Sequence, residues 1–294
     1  MTAADHGDYV VHGELPRLDR PVLVVAMAGW IDAGGAAAAA MAEITSTCSI
    51  QPLATFDADL FIDYRARRPV MELRDGVNTR LVWSEIQLGV GADPQGHPVL
   101  TLTGPEPDAQ WRRFARAVSE LALRLGVYQM VALGAYPFAS PHTRPPRLAM
   151  SSPSAEVVAR LPYLRSSVDV PAGMSAVLEH ALTEAGIASV GLWAQVPHYL
   201  GVMAYPPATL ALLNGIREAT GVAIPAPDLA SHATAQRERI DQLVAGNAEH
   251  AAMVRQLEDV YDSLGDEALP QPGAELPTAD DLAAEIERFL RGQS

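Results

Sequence analysis

A chain of 294 residues with 49% hydrophobic and 19% charged residues can bury a sizeable core, as one large domain or two ordinary ones, which excludes a disordered chain. Its formal charge of −14 repels phosphate backbones and anionic lipid heads, so neither nucleic acid nor a membrane is expected as a partner. All 21 cationic residues are arginine, which removes the usual key residue of Gly-Lys-Ser/Thr phosphate loops, of Schiff-base and pyridoxal enzymes, and of ATP-grasp ligases.

The single cysteine, Cys48, allows no intramolecular disulfide and no Cys-based zinc site. Residues 1–8 lack the cationic and apolar regions of a secretory signal, and no run of about 18 apolar residues spans a membrane. A cytoplasmic protein without cofactor or metal is the expectation.

In chain order, the branched apolar run at residues 22–27 predicts a strand buried on both faces, followed by the turn Gly29-Trp-Ile-Asp-Ala-Gly-Gly35 and an Ala-rich helix to Ile44. A strand is expected over 50–56 and a charged loop over 57–69. Residues 70–74 and 79–88 predict a hairpin turning at Asp75-Gly76-Val77-Asn78, with a loop over 89–98 and a strand over 99–102. Trp111, Phe114, Ala115, Val118, Leu121, Ala122 and Leu125 share one face of a helix from Asp108 that Gly126 closes. A buried strand over 130–133 leads into a Pro-rich loop over 136–146. Helices over 154–161, 173–185 and 207–220 and a strand over 188–196 complete an α/β core. The expected fold is a three-layer α/β/α sandwich on a mostly parallel mixed sheet, with a C-terminal helical extension.

The composition shifts near Pro225-Ala-Pro227, which divides the chain into a core domain, 1–228, and the helical extension, 229–294. Within the extension, Ile240, Val254 and Tyr261 form one heptad row and Leu243, Leu257 and Leu264 another, around Asn247 and His250, so one long helix is predicted over 231–264. A linker over 270–277 then precedes a last helix on Leu282, Ile286, Phe289 and Leu290.

Three constellations carry candidate chemistry. Trp30, Asp32, Gly34 and Gly35 lie at a strand-to-helix turn whose amides could hold an anion, although Asp32 opposes one and the glycines also serve close helix packing. Asp63, Tyr64, Arg65, Arg67 and Arg68 form either an anion-recognition loop or a self-paired surface loop. His142 and Arg144, beyond one buried strand, and His198 and Tyr199, beyond another, could converge with Asp32 in a pocket at the sheet edge; prolines and local backbone bonding explain the same residues without a ligand. No nucleophile elbow and no His-rich metal spacing accompanies them, so no catalytic residue is assigned.

Gly29 to Gly35, Asp63-Tyr-Arg-Ala-Arg-Arg-Pro69, Pro141-His-Thr-Arg-Pro145 and Trp193-Ala-Gln-Val-Pro-His-Tyr199 occur in an order and spacing similar to bacterial members of the proteasome assembly chaperone 2 family, across about residues 20–228. The resemblance implies a fold akin to nucleoside phosphorylases, self-association with a homotrimer as the expected form, and, by its eukaryotic and archaeal relatives, binding to proteasome subunits. Some bacterial members resemble proteins labelled ATP-grasp or carboxylate-amine ligases, a chemistry at odds with a lysine-free chain. The chain ends Phe289-Leu-Arg-Gly-Gln-Ser294 and departs from the hydrophobic-Tyr-X tail of archaeal ring-docking relatives, so tail insertion is not expected. The leading expectation is thus a non-enzymatic, chaperone-like protein binder. The alternative is a binder of nucleoside-like or carboxylate ligands, or an enzyme acting on them.

Overall fold

The computed structural model describes residues 4–5 and 7–263. The strands are β1 (Ala4–Asp5), β2 (Tyr9–Val11), β3 (Val22–Ala28), β4 (Gln51–Phe56), β5 (Val70–Arg74), β6 (Val77–Val82), β7 (Gln87–Ala92), β8 (Pro98–Pro105), β9 (Gln129–Phe138), β10 (Leu148–Ser151) and β11 (Ala188–Pro197). The α-helices are α1 (Ala36–Thr47), α2 (Ala58–Phe61), α3 (Trp111–Leu125), α4 (Ala155–Arg160), α5 (Met174–Glu184), α6 (Pro206–Thr220), α7 (Pro227–Ala245) and α8 (Ala248–Ser263). The predicted linker over 270–277, the last helix and Leu264 lie outside the described residues.

Among the described residues one sheet runs β1-β2-β4-β7-β8-β3-β9-β11-β10. Its centre is parallel: β3 pairs with β8 and β9, and β9 pairs with β11. Antiparallel strands extend both sides. Alternation along β3 explains the branched apolar run, because Val22 and Val24 face one core while Leu23 and Val25 face the other. The first core is closed by α1, α4, α6 and, through Ile240, α7; the second is closed by α3 and α5. The three-layer α/β architecture expected from the strand and helix alternation is therefore the observed one. In the second core, Phe114 lies 4.8 Å from Phe56 and 5.2 Å, edge to face, from Phe61.

Local signals account for most boundaries. Gly126 takes a left-handed conformation and caps α3, and the Ser154 hydroxyl accepts the Val157 amide to start α4. Asp75 and Gly76 both have positive φ, +50° and +80°, the geometry of a tight hairpin turn between β5 and β6.

Four expectations change. The 57–69 loop contains the single turn α2, because the Asp57 carboxylate accepts the Asp59 amide and caps it. The stretch 79–88 splits: β6 ends at Val82, and β7 begins at Gln87 and joins the main sheet, taking residues that the Gly- and Pro-rich composition assigned to a loop. β9 continues through Pro137 to Phe138, beyond the predicted end at Leu133, as a partner for β11. Finally, the single long helix is two. α7 stops at Gly246, and the Asn247 side chain accepts the Glu249 and His250 amides to cap α8. The heptad row breaks with it, leaving Leu243 57% exposed while Ile240 and Val254 are buried.

One buried carboxyl introduces a pH dependence. Glu179 on α5 is 3% exposed, accepts from Ser151 at 3.1 Å, and is pushed by burial up to about 7 from 4.5. The folded chain thus holds a proton that the unfolded chain releases, so stability falls as pH rises from about 4.5 to about 7. Glu179→Gln is expected to raise stability in denaturant melts at pH 8 by roughly 2–3 kcal/mol and to change little at pH 4. An equal gain at both pH values would remove ionisation as the cause.

Candidate functional site

The parallel strands deliver the motif loops to one edge of the sheet, where α/β folds place ligands. At the end of β3, Asp32 accepts the Ala37 amide at 2.8 Å on one oxygen and the Ala38 amide at 3.0 Å on the other. The first turn of α1, electropositive by its exposed amides, is therefore filled by the chain's own carboxylate. Gly34, at φ +62°, donates its amide to the Gly201 carbonyl at 2.7 Å and accepts from the Tyr205 amide at 3.3 Å. A Cβ there would lie 2.9 Å from the Met203 carbonyl oxygen. The turn is thus stitched to the loop that follows β11, and Gly34 is required for that close approach. Gly35, at φ +60°, has open space around it. Trp30 is exposed beside Gly173.

The arginine loop is largely self-paired. Arg65 pairs with Asp63 at 3.3 Å in solvent, the Arg67 Nε–H is shared between both oxygens of Asp108 at 3.1 Å each, and the Tyr64 hydroxyl donates to Asp59 at 2.7 Å. The Asp108 carboxylate also accepts the Asp63 amide at 3.0 Å, which ties the loop to the segment before α3. Arg68 is exposed.

His142, Arg144 and Tyr199 do come together, under the C-terminal helices. His142 is 4% exposed. Its backbone amide donates to the Tyr199 oxygen at 2.9 Å, its Nδ1 lies 2.7 Å from the same oxygen, and its Nε2 lies 3.0 Å from Asp241 on α7. Because that oxygen already accepts the amide, the arrangement that satisfies every group has the Tyr199 hydroxyl donating to Nδ1 and Nε2–H donating to Asp241. The imidazole is then neutral, consistent with burial pushing its pKa down against the pull of Asp241.

Hydroxyl, imidazole and carboxylate follow in the order of a nucleophilic triad, but Tyr199 cannot serve as the nucleophile. Its oxygen accepts a backbone amide, its proton is directed at Nδ1, and burial raises its pKa far above neutrality. The network fastens α7 to the 141–147 loop.

Arg144 completes the fastening. It forks onto Asp262 at 2.9 and 2.7 Å and reaches Glu258 at 3.0 Å, and Thr143 donates to the same Glu258 oxygen. The Asp262 hydrogen bonds raise the Arg144 pKa, and Arg144 in turn lowers that of Asp262. Arg147 lies over the Tyr261 ring at 3.9 Å, and the Tyr261 hydroxyl donates to the Pro145 carbonyl. His198 turns away from this cluster: its ring stands edge to face against Tyr199 at 5.4 Å, and its Nδ1 is buried with no hydrogen-bond partner.

Of the pairs that reach α7 and α8, the sequence marks only the loop half. Asp241, Glu258 and Asp262 read as the solvated face of a polar helix and Tyr261 as a heptad residue; the signal available is the i, i+3 and i+4 spacing of Glu258, Tyr261 and Asp262 opposite an Arg-bearing loop. Glu106 and Gln195 were missed too. Glu106 is 8% exposed and accepts the Met174 amide at the start of α5, and buried Gln195 donates to Tyr136 at 3.0 Å. A cavity of about 300 Å³ lies elsewhere, beside Tyr9, Thr55 and Phe56 near the opposite end of the sheet. Among the described residues no group of three or more His, Cys, Asp or Glu could hold a metal ion, and no helix is long and apolar enough to cross a membrane.

Comparison with protein families matches the PAC2 family model over residues 26–244. Solved structures similar to this chain include the Mycobacterium tuberculosis protein of unknown function Rv2714, at 36% identity and TM-score 0.79, over 88% of this chain and 92% of that one. A Corynebacterium glutamicum protein of unknown function is similar at 31% identity and TM-score 0.80, over 87% and 97% of the two chains. The M. tuberculosis proteasome-assembly chaperone homologue Rv2125 is similar at 32% identity and TM-score 0.73, over 79% and 99%. No curated protein matches.

Two outcomes test this geometry. Asp32→Ala is expected to destabilise the fold by about 1–2 kcal/mol through loss of the α1 cap, read as a lower denaturant midpoint. Arg144→Ala should speed amide exchange severalfold along α8 while leaving α3 unchanged. Uniform exchange across both helices would show that Arg144 does not hold α8 locally.

Proposed function

The chain belongs to the PAC2 family, and from that premise we propose that it is a non-enzymatic, chaperone-like protein that acts by holding other proteins. The observation that carries this reading is the use already made of three of the main ligand-capable groups at the sheet edge. The anion site of α1 is filled by Asp32, the Arg144 fork by Asp262 and Glu258, and His142 by Tyr199 and Asp241. A small anionic ligand would have to displace intramolecular, charge-assisted hydrogen bonds. What the chain offers outward instead is protein-like: exposed apolar side chains such as Val70, Val77, Val202 and Leu243.

The proposed partners are other copies of the chain, as a homotrimer, and proteasome subunits, in the cytoplasm. The family and the similarity to the chaperone homologue Rv2125 support this assignment. Affinity capture with the full-length chain, together with depletion of the protein and measurement of proteasome ring assembly, tests it. Enrichment of proteasome subunits and slower assembly are expected. Unchanged assembly with no subunit captured would sink the proteasome role. Stabilisation by a nucleoside or a carboxylate that is lost in Arg144→Ala would move the protein to the ligand-binding reading.

A further inference from the structure

Helix α8 is seated on the protein with very little apolar anchorage. Val254 is its one buried residue and belongs to neither of the two cores. What seats the helix is polar: Glu258, Tyr261 and Asp262, spaced i, i+3 and i+4 on one face, meet the 141–147 loop. Arg144 takes both acids, Thr143 donates to Glu258, and Arg147 lies over the Tyr261 ring while donating to the Tyr261 backbone carbonyl at 3.1 Å. The Arg144 and Asp262 side chains are 33% and 52% exposed, so water can take the place of either partner at modest cost.

The loop holds its shape without α8. Pro141, Pro145 and Pro146 stiffen it, the His142 amide is bound to Tyr199, and the Arg147 carbonyl accepts the Gln195 amide at 3.0 Å on β11. A receptor ordered before its occupant arrives lowers the entropy cost of binding. The occupant is also separable. α7 ends at Gly246 and stays on the core through Ile240 and the Asp241–His142 contact, whereas Asn247 caps α8 on its own account, so α8 can lift away as a unit.

We propose that the 141–147 loop is a docking site for an acidic helix of a partner protein, one that presents Glu, an aromatic residue and Asp at i, i+3 and i+4, and that α8 holds this site shut in cis. The inference rests on the protein-holding reading above and names a surface and a partner chemistry for it. A small anion replaces only part of what α8 gives up; a helix with this pattern replaces each hydrogen bond and the ring under Arg147, and only Val254 loses apolar cover. The tether gives α8 an effective concentration on the order of millimolar, so a rival helix must bind more tightly or be abundant at the site.

The test uses the full-length chain and, as probe, a fluorescein-labelled peptide of residues 248–263. A Glu258→Gln, Asp262→Asn double variant, with α3 amide exchange as in wild type, is expected to bind the peptide by anisotropy at a roughly tenfold lower concentration than wild type does, about what two part-exposed ion pairs are worth. Adding Arg144→Ala should abolish that binding. Excess peptide should speed amide exchange along α8 of the wild type severalfold and leave α7 unchanged. No binding by the double variant, or equal binding of a peptide with the same residues scrambled, overturns the docking site. Wild-type α8 exchange that excess peptide does not move overturns displacement, and the proposal with it. α8 exchange that rises with protein concentration alone makes a second copy the occupant and overturns a foreign one. Failed capture of proteasome subunits alongside the expected peptide binding removes the proteasome role and leaves the docking site standing.

Discussion

The carboxylate of Asp32 on the first turn of α1 sets the character of the whole sheet edge. In a doubly wound α/β fold, the helix after the first central strand presents free amides where a phosphate or carboxylate ligand binds. Here the strand and helix are retained and the anion is built in. The same substitution of self for ligand recurs at Arg144, whose fork is taken by α8, and at His142, whose two nitrogens face Tyr199 and Asp241. Groups that could have served chemistry serve instead as fasteners, and α7 and α8 are held on the core by them.

That economy explains why so little apolar surface secures the last two helices. Ile240 on α7 and Val254 on α8 are their buried apolar residues, whereas α3 buries a full stripe. Partly exposed ion pairs contribute less than burial and weaken with salt. A fork with two acceptors, a shared Glu258, and a guanidinium over Tyr261 are therefore combined on one loop. Arginine alone among the basic residues supplies the planar geometry that all three contacts use.

The legible parts of the fold were those governed by one local rule. β3, α1, α3 and the Asp75–Gly76 turn each follow from residue pattern or from a residue suited to positive φ. The misread parts depend on partners distant in sequence. β7 and the end of β9 are strands because β8 and β11 offer them hydrogen bonds, which composition rich in Gly and Pro does not announce. The heptad row over 240–261 suggested one helix, but Asn247 caps better than it propagates, and burial of Ile240 in the core outweighed continuity. At the site, the nearness of His142 to Tyr199 followed from two strands being neighbours, whereas the acids facing His142 and Arg144 lie about a hundred residues further on and leave no mark near the motifs.

The fastening of α8 also has an order in time. Arg144 and Asp262 are 118 residues apart, so the clamp joins the middle of the chain to the last helix described. A chain emerging from its N-terminus can pair β3, β8, β9 and β11 before α8 exists, and closing so long a loop adds an entropic cost that rises only slowly with its length. Until then Arg144 stands without its partners over an otherwise finished core. In any chain whose α8 has not yet docked, Arg144 is without Asp262 and Glu258, and an acidic segment would compete with α8 for it.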